Sequence, residues 1–257
     1  MIDGKVRLDI FLSLKDARIS RKSANSLIRE GKVTVNGKVV LKPSFQVNEE
    51  DTIIVLSEEF YVSRGAFKLQ KALEEFEVQV RGKVCMDIGS STGGFTQVLL
   101  RNDALRVICV DSGTDQLHPL LRNDARVILY ENTNARYFKA DEKVDFICCD
   151  VSFISITKLT DTFLENSKDT AEFIFLVKPQ FECGKEFLGK NGIVKDRQVH
   201  RSVLKNVSAH LNYVGLFPNR VIESPIKGSQ GNTEFLLYCK RNKSVAFDMK
   251  NITGAVE

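Results

Sequence analysis

With 257 residues, 43% of them hydrophobic, the chain can bury one α/β core and leave about 60 residues for a second module. No apolar run approaches the ~18 residues needed to cross a bilayer, the first residues lack the features of a signal peptide, and six cysteines without a Cys-x-x-Cys pair exclude a disulfide scaffold; a soluble, cytoplasmic chain with reduced core thiols is expected. The net charge of +4 hides an uneven split: residues 5–42 hold +7, ten Lys or Arg against Asp9, Asp16 and Glu30, while residues 43 onward sum to −2.

A basic end on a near-neutral body points to a polyanionic partner, because each neutralised phosphate releases counterions. Within that end, residues 7–14 and 21–30 are predicted as two short helices. Ser20 is the N-cap of the second, Ala24, Leu27 and Ile28 form its apolar face, and Gly31 closes it. Val33–Val35 and Val39–Val40 flank Asn36-Gly37, a strong hairpin signal, and Ile53–Leu56 adds a strand. The polar stretch Ser57-Glu58-Glu59 marks a boundary, giving a small basic module over 1–60 and a second domain over 61–257.

From residue 61 the pattern changes. Val84–Asp87, Arg106–Val110, Val127–Leu129, Val144–Cys149, Phe173–Val177 and Phe235–Cys239 are apolar runs of strand length separated by helical segments. Continuous apolar strands of this kind predict a mostly parallel, doubly wound α/β sheet of Rossmann type, covered on both faces. His118, His200 and His210 lie far apart, and no metal site is expected.

The first of these strands ends in Asp87-Ile88-Gly89-Ser90-Ser91-Thr92-Gly93-Gly94-Phe95-Thr96, after which a helix begins. Such a turn lets backbone amides and a helix N-terminus approach a nucleoside ligand at the carboxyl edge of the sheet. Asp111 ends the next strand, 22 residues beyond Gly89, where a carboxylate can accept hydrogen bonds from ribose hydroxyls. A dinucleotide fingerprint would need glycine at position 91, where this chain has Ser91. A cofactor without a pyrophosphate is therefore favoured. S-adenosylmethionine fits, as an adenosine joined to a charged amino acid that can meet Asp87 and the loop.

Lys68, Asp150, Lys178 and Glu234 fall where loops or strand edges are predicted, with Asp150 and Lys178 at the carboxyl ends of adjacent strands. A ribose hydroxyl is a weak acid, so methylating it takes a positioned base and electrostatic help for the alkoxide. Lys178, with its pKa lowered by Lys68 and partial burial, is expected to take the proton, while Asp150 and Glu234 orient the ammonium groups and the hydroxyl.

Five blocks carry a resemblance that runs along nearly the whole chain: Tyr61-Val-Ser-Arg-Gly-Ala-Phe-Lys68-Leu, the 87–96 loop, Asp150-Val-Ser-Phe-Ile-Ser155, Val177-Lys-Pro-Gln-Phe-Glu182 and Gly231-Asn-Thr-Glu-Phe235. The sequence resembles the TlyA family, also known under the name hemolysin A, whose members are ribosomal RNA 2'-O-ribose methyltransferases related to the FtsJ-like heat-shock RNA methyltransferases. The resemblance implies that Lys68, Asp150, Lys178 and Glu234 form the Lys-Asp-Lys-Glu tetrad of that class. It implies an N-terminal module of the ribosomal-protein S-four type, with Arg7, Arg21, Lys22, Arg29, Lys32, Lys42 and Arg64 as candidate RNA contacts. It further implies ribosomal RNA or ribosomal subunits as the partner, with a cytidine ribose as target, and Asn134, in Asn134-Ala-Arg136, as an adenine-side element. After Asp111 the family reads Gly-Tyr-Gly-Gln-Leu, whereas this chain has Gly113-Thr-Asp-Gln-Leu117, so adenosine contacts differ there. Three other readings compete: a catalytically silent ribosome-assembly factor, a pore-forming hemolysin, and a small-molecule methyltransferase, which leaves the basic module unexplained.

Overall fold

In the computed structural model residues 4–15, 19–55, 61–228 and 230–242 are described, and the chain divides into two compact units, Met1–Arg64 and Gly65–Glu257. The Ser57–Glu59 stretch expected to mark the boundary lies outside the described residues, as does Leu56 of the predicted strand.

The first unit comprises β1 (Val6–Arg7), α1 (Leu8–Lys15), α2 (Arg21–Arg29), β2 (Val33–Val35), β3 (Lys38–Val39), β4 (Gln46–Val47) and β5 (Ile53–Val55). Helix α2 begins and ends as its sequence dictates. Ser20 Oγ accepts the Ser23 N–H at 3.1 Å, and Gly31, at φ +72°, lets the Lys32 N–H reach back to the Leu27 carbonyl at 2.9 Å. Asn36 and Gly37 both have positive φ, +51° and +78°, the primed turn that matches strand twist in a two-residue hairpin. Helix α1 starts at Leu8, one residue later than predicted, because Arg7 pairs with Gln46 in a short antiparallel ladder, β1 with β4. Two-residue strands carry no periodicity, so neither was foreseen.

The second unit comprises α3 (Gly65–Phe76), β6 (Val84–Ile88), α4 (Gly94–Arg101), β7 (Arg106–Val110), α5 (Pro119–Arg122), β8 (Val127–Tyr130), β9 (Val144–Cys149), α6 (Thr160–Asn166), β10 (Ser167–Val177), α7 (Pro179–Glu182), α8 (Arg197–Tyr213), β11 (Phe217–Glu223) and β12 (Phe235–Lys240). Its sheet has seven strands in the order β11-β12-β10-β9-β6-β7-β8. The run from β10 to β8 is parallel, and β12 lies antiparallel between β10 and β11. Strand β11 was not predicted. It is an edge strand whose ladder shifts register between Pro218 and Arg220, and a proline inside a run argues against a strand except at an edge.

The core is built from the strands themselves, with Met86, Ile88, Ile147, Phe173, Phe175 and Leu237 packed under Phe163, Leu204 and Leu211 of the helices. Five of the six cysteines are buried as free thiols, and Cys183 is half-buried. Strands β6, β7 and β8 step outward in one direction, and the chain then returns to place β9 on the other side of β6. That reversal makes the carboxyl ends of β6 and β9 a switch point, where connections diverge and leave a crevice for ligands.

Candidate active site

The glycine loop leaves β6 at this switch point and is held by backbone. Gly89 N–H donates to the Val110 carbonyl at 2.8 Å, and Gly93 N–H to the Ser90 carbonyl at 2.7 Å. Gly89 and Gly93 take φ of +84° and +94°. A Cβ on Gly89 would lie 2.4 Å from the Asp150 carbonyl oxygen, and one on Gly93 would lie 2.2 Å from Leu121 Cδ1, so both positions need glycine for space as well as for φ. Gly93 caps α4 without a side chain, and the helix therefore meets the loop as bare backbone, next to Gly94. Ser91 and Thr92 form the exposed tip, whereas Ser90 and Phe95 are buried.

Asp111, expected to face ribose hydroxyls, also fastens this region. Its Oδ2 accepts the Ser91 N–H and its Oδ1 the Gly113 N–H, both at 2.7 Å, and each carboxylate oxygen has a further lone-pair direction to offer. Asn134 is exposed and caps the 3₁₀ turn Ala135–Tyr137 by accepting the Arg136 N–H at 3.1 Å.

Asp87 is the misfit of the loop. It is fully buried; Oδ2 accepts the Thr96 hydroxyl at 2.6 Å, while Oδ1 and the neighbouring Ser90 Oγ have no hydrogen-bond partner among the described residues. Burial pushes its carboxyl up to about 7, against the Thr96 hydroxyl, with the charges of Asp150 and Asp111 adding to the rise. Two buried polar atoms lack a partner among the described residues, and a cation beside Asp87 would favour its ionised form, which the charged amino-acid end of S-adenosylmethionine could supply. Between about pH 4, the unfolded value, and pH 7, the folded chain holds a proton that the unfolded chain has released. Stability from this group is thus full below that window and lost as pH rises through it. Asp87→Asn removes the effect: the melting temperature of the variant minus that of the wild type is expected to grow from pH 4 to pH 7.5. A constant difference across the window would show that Asp87 ionises normally.

The four charged residues expected at the site form two ion pairs. Lys68 Nζ lies 2.5 Å from Glu234 Oε2, and Lys178 Nζ lies 2.6 Å from Asp150 Oδ1. Lys178 Nζ also donates to Ser152 Oγ at 2.9 Å. Strand pairing brings the two pairs together: Val177 faces Phe235 across the antiparallel β10–β12 ladder, so the next residues outward, Lys178 and Glu234, stand opposite each other. Asp150 enters from β9, its N–H bonded to the Ile88 carbonyl at 2.9 Å beside the glycine loop. One detail differs from the sequence reading. Lys68 sits in α3, not in a loop, because Ala66, Leu69, Ala72, Leu73 and Phe76 recur at helical spacing and bury one face, Lys68 with them. Lys68 and Lys178 each meet a carboxylate of their own, so the four side chains are paired one cation to one anion.

Sequence reasoning missed a second tier of residues. Glu182 in α7 accepts the Ser155 hydroxyl at 2.5 Å and the Ile156 N–H at 2.8 Å, tying the segment after Lys178 to the one after Asp150. Between them stands Phe153, 91% exposed at φ +65°, its ring 5.0 Å from that of Phe181. Phe181 lies in turn under Lys178 Nζ, 5.9 Å from ring centroid to nitrogen. A bulky residue held at positive φ with its ring in solvent is worth a look as a functional position. The Asp-Val-Ser-Phe block contained this signal only as an aromatic next to a charged strand end.

In the first unit, Lys22, Arg29, Lys42 and Arg64 are exposed, Lys32 pairs with Glu30 at 2.9 Å, and Arg7 and Arg21 both bond to Asp9. Among the described residues no group of three or more His, Cys, Asp or Glu could hold a metal ion, and no helix is long and apolar enough to cross a membrane. His200 has its Nε2 3.0 Å from the Val194 carbonyl.

Comparison with known proteins identifies the family of both units. Residues 61–241 match the FtsJ-like methyltransferase family and residues 6–53 the S4 domain. The 23S rRNA (cytidine-2'-O)-methyltransferase TlyA of Campylobacter jejuni is 39% identical, over 92% of this chain and all of its own. The 16S/23S rRNA (cytidine-2'-O)-methyltransferase TlyA of Mycobacterium tuberculosis is 37% identical, over 98% of this chain and 96% of its own. A solved structure from Streptococcus thermophilus that carries the hemolysin name superposes with a TM-score of 0.75 at 35% identity, covering 98% of this chain and 96% of that one. The chain belongs to the TlyA family, an S4 domain followed by an FtsJ-like methyltransferase domain.

Proposed function

We propose that the chain transfers a methyl group from S-adenosylmethionine to the ribose 2'-hydroxyl of a cytidine in ribosomal RNA. The observation that carries this reading is the meeting of two lysine–carboxylate pairs, Lys178–Asp150 and Lys68–Glu234, beside a loop whose Asp87 has one oxygen without a partner among the described residues. The cofactor supplies an electrophilic methyl on a sulfonium. Gly89 to Gly94 bring backbone close to it, Asp87 faces its positive charge, and Asp111 offers acceptors to its ribose.

The residues of the tetrad divide the remaining work. Lys178 Nζ, in its unprotonated amine form, takes the 2'-hydroxyl proton as the oxygen attacks, and Asp150 Oδ1, already 2.6 Å away, stabilises the ammonium so formed. Lys68, fixed by Glu234, presents positive charge to the developing alkoxide. Ser152 fixes the direction of the Lys178 amine. Phe153, with its ring in solvent beside this group, offers a face on which an unstacked base can lie.

The test is transfer of labelled methyl to unmodified ribosomal RNA followed by alkaline hydrolysis. A 2'-O-methyl group blocks attack on the adjacent phosphodiester, so label is expected in an alkali-resistant dinucleotide containing cytidine. Label on a base, or none, would sink the reading. Phe153→Ala keeps the same backbone strain, so stability is expected to hold. Its KM for RNA is expected to rise about tenfold, the equivalent of ~1.4 kcal/mol of stacking, with cofactor affinity unchanged and Phe153→Tyr close to wild type. An unchanged KM for Phe153→Ala would remove the stacking role.

A further inference from the structure

Asp9 is a buried carboxylate in the basic unit, and its surroundings have no part in the chemistry described so far. It is fully inaccessible at the start of α1. Arg7 makes a fork to it, Nε to Oδ1 and Nη2 to Oδ2, both at 2.9 Å. Arg21 Nε reaches Oδ2 at 3.2 Å, Asn25 Nδ2 reaches the same oxygen at 3.0 Å, and the Ile10 N–H reaches Oδ1 at 3.1 Å. One carboxylate thus fixes two guanidinium groups from different elements, β1 and α2. Neither arginine is consumed by the contact: their side chains remain 40% and 59% exposed, and among the described residues Arg21 meets Asp9 through Nε.

A guanidinium carries five N–H donors in a rigid plane. Docking its inner edge on a carboxylate sets the direction of the outer edge, which is the geometry that meets a phosphate in bidentate fashion. Two arginines on one acid keep a surplus positive charge, and that surplus faces solvent. The Asn25 amide adds order: it donates to Asp9 and also to the Arg21 carbonyl at 3.1 Å, so the helix turn that carries Arg21 is held to the same carboxylate. Arg7 lowers the carboxyl of Asp9 far below the usual range, against its burial, with Asn25 and Arg21 helping, which keeps the acid charged at any working pH.

We propose that Asp9 is a positioning residue for RNA, aiming Arg7 and Arg21 as a paired clamp for neighbouring phosphates of the nucleic-acid backbone. This rests on the reading that the first unit grips RNA. The proposal makes a prediction opposite in sign to simple electrostatics: removing a negative charge from an RNA-binding surface should strengthen binding, yet Asp9→Asn weakens it, because the two guanidinium groups lose their common anchor.

The experiment uses the full chain and measures methyl transfer to unmodified ribosomal RNA for wild type, Asp9→Asn, Arg7→Ala/Arg21→Ala and the triple variant, with melting temperature and cofactor affinity alongside. Asp9→Asn is expected to raise the KM for RNA about tenfold, with kcat and cofactor affinity unchanged, and to add less than about twofold to the KM of the double-arginine variant. Arg21→Lys, a surface change that leaves the fold alone, is expected to raise KM several-fold, since an ammonium cannot fork between acid and phosphate. Three results overturn the proposal: tighter binding by Asp9→Asn, an equal penalty with and without the arginines, which is what a merely structural role gives, or wild-type KM for Arg21→Lys. If the double-arginine variant itself keeps wild-type KM, the reading of the first unit as the RNA grip fails; if it loses RNA while Asp9→Asn does not, the clamp alone fails.

Discussion

Replacing Lys178 with methionine is expected to lower kcat for methyl transfer by about 10³-fold or more, while S-adenosylmethionine still binds with near wild-type affinity. Methionine keeps the length and apolar stem of the side chain and removes only the amine. The loss combines two contributions: a general base is worth roughly 10²–10⁴ in rate, and the 2'-oxygen also loses the cation that balances it in the transition state. Stopped-turnover measurement with labelled cofactor, paired with calorimetry for cofactor binding, separates the two outcomes. A variant that keeps more than about a tenth of the wild-type kcat would assign the proton to another group. Loss of cofactor binding in parallel would make Lys178 part of the donor pocket.

Gly89→Ala carries the second large effect, and it acts on stability and binding together. Alanine at φ +84° costs about 1 kcal/mol of backbone strain, and its Cβ would lie 2.4 Å from the Asp150 carbonyl oxygen, a contact that backbone on both sides must move to relieve. Overpacking of this kind adds about 1–3 kcal/mol, so the variant is expected to melt roughly 5–12 °C below wild type and to lose at least about tenfold in cofactor affinity. Gly82→Ala supplies the control. It has a similar φ of +70° with nothing within 4 Å of the added carbon, and it reports strain alone. If both variants melt at the same temperature, the close approach between the glycine loop and Asp150 has no energetic weight.

The sequence made the sheet legible because five of its strands are parallel and covered on both faces, and so appear as unbroken apolar runs such as Val144–Cys149. The Asn36-Gly37 hairpin and the Ser20 cap were equally plain, since each depends on a local backbone conformation that few residues supply. What escaped depends on partners distant in the chain. Strand β11 alternates and contains Pro218, and only the neighbouring β12 makes it a strand. The pairing of Lys68 with Glu234, 166 residues apart, is set by α3 and β12 coming together, which no spacing announces.

The cofactor loop shows the same division. The substitution of Ser91 for glycine pointed away from a pyrophosphate, yet Ser91 still takes a positive φ of +46°, its N–H fixed by Asp111. The backbone shape of the fingerprint survives without the residue that normally makes it easy. Asp115 likewise sits at φ +54°, tolerable for aspartate as it would not be for a branched side chain. Composition alone cannot reveal that a residue has been pressed into a conformation another would adopt freely.

Strand β12 is the last described strand in the chain but not the last in space, since it is inserted between β10 and β11, and Glu234 rides at its leading end. A ribosome making this protein delivers Lys68, Asp150 and Lys178 well before the acid that balances Lys68. A product broken off before residue 234 would own a donor loop and a lone uncompensated lysine within an unfinished sheet. Completion of the tetrad therefore waits on a strand synthesised after both of the neighbours that flank it in the sheet.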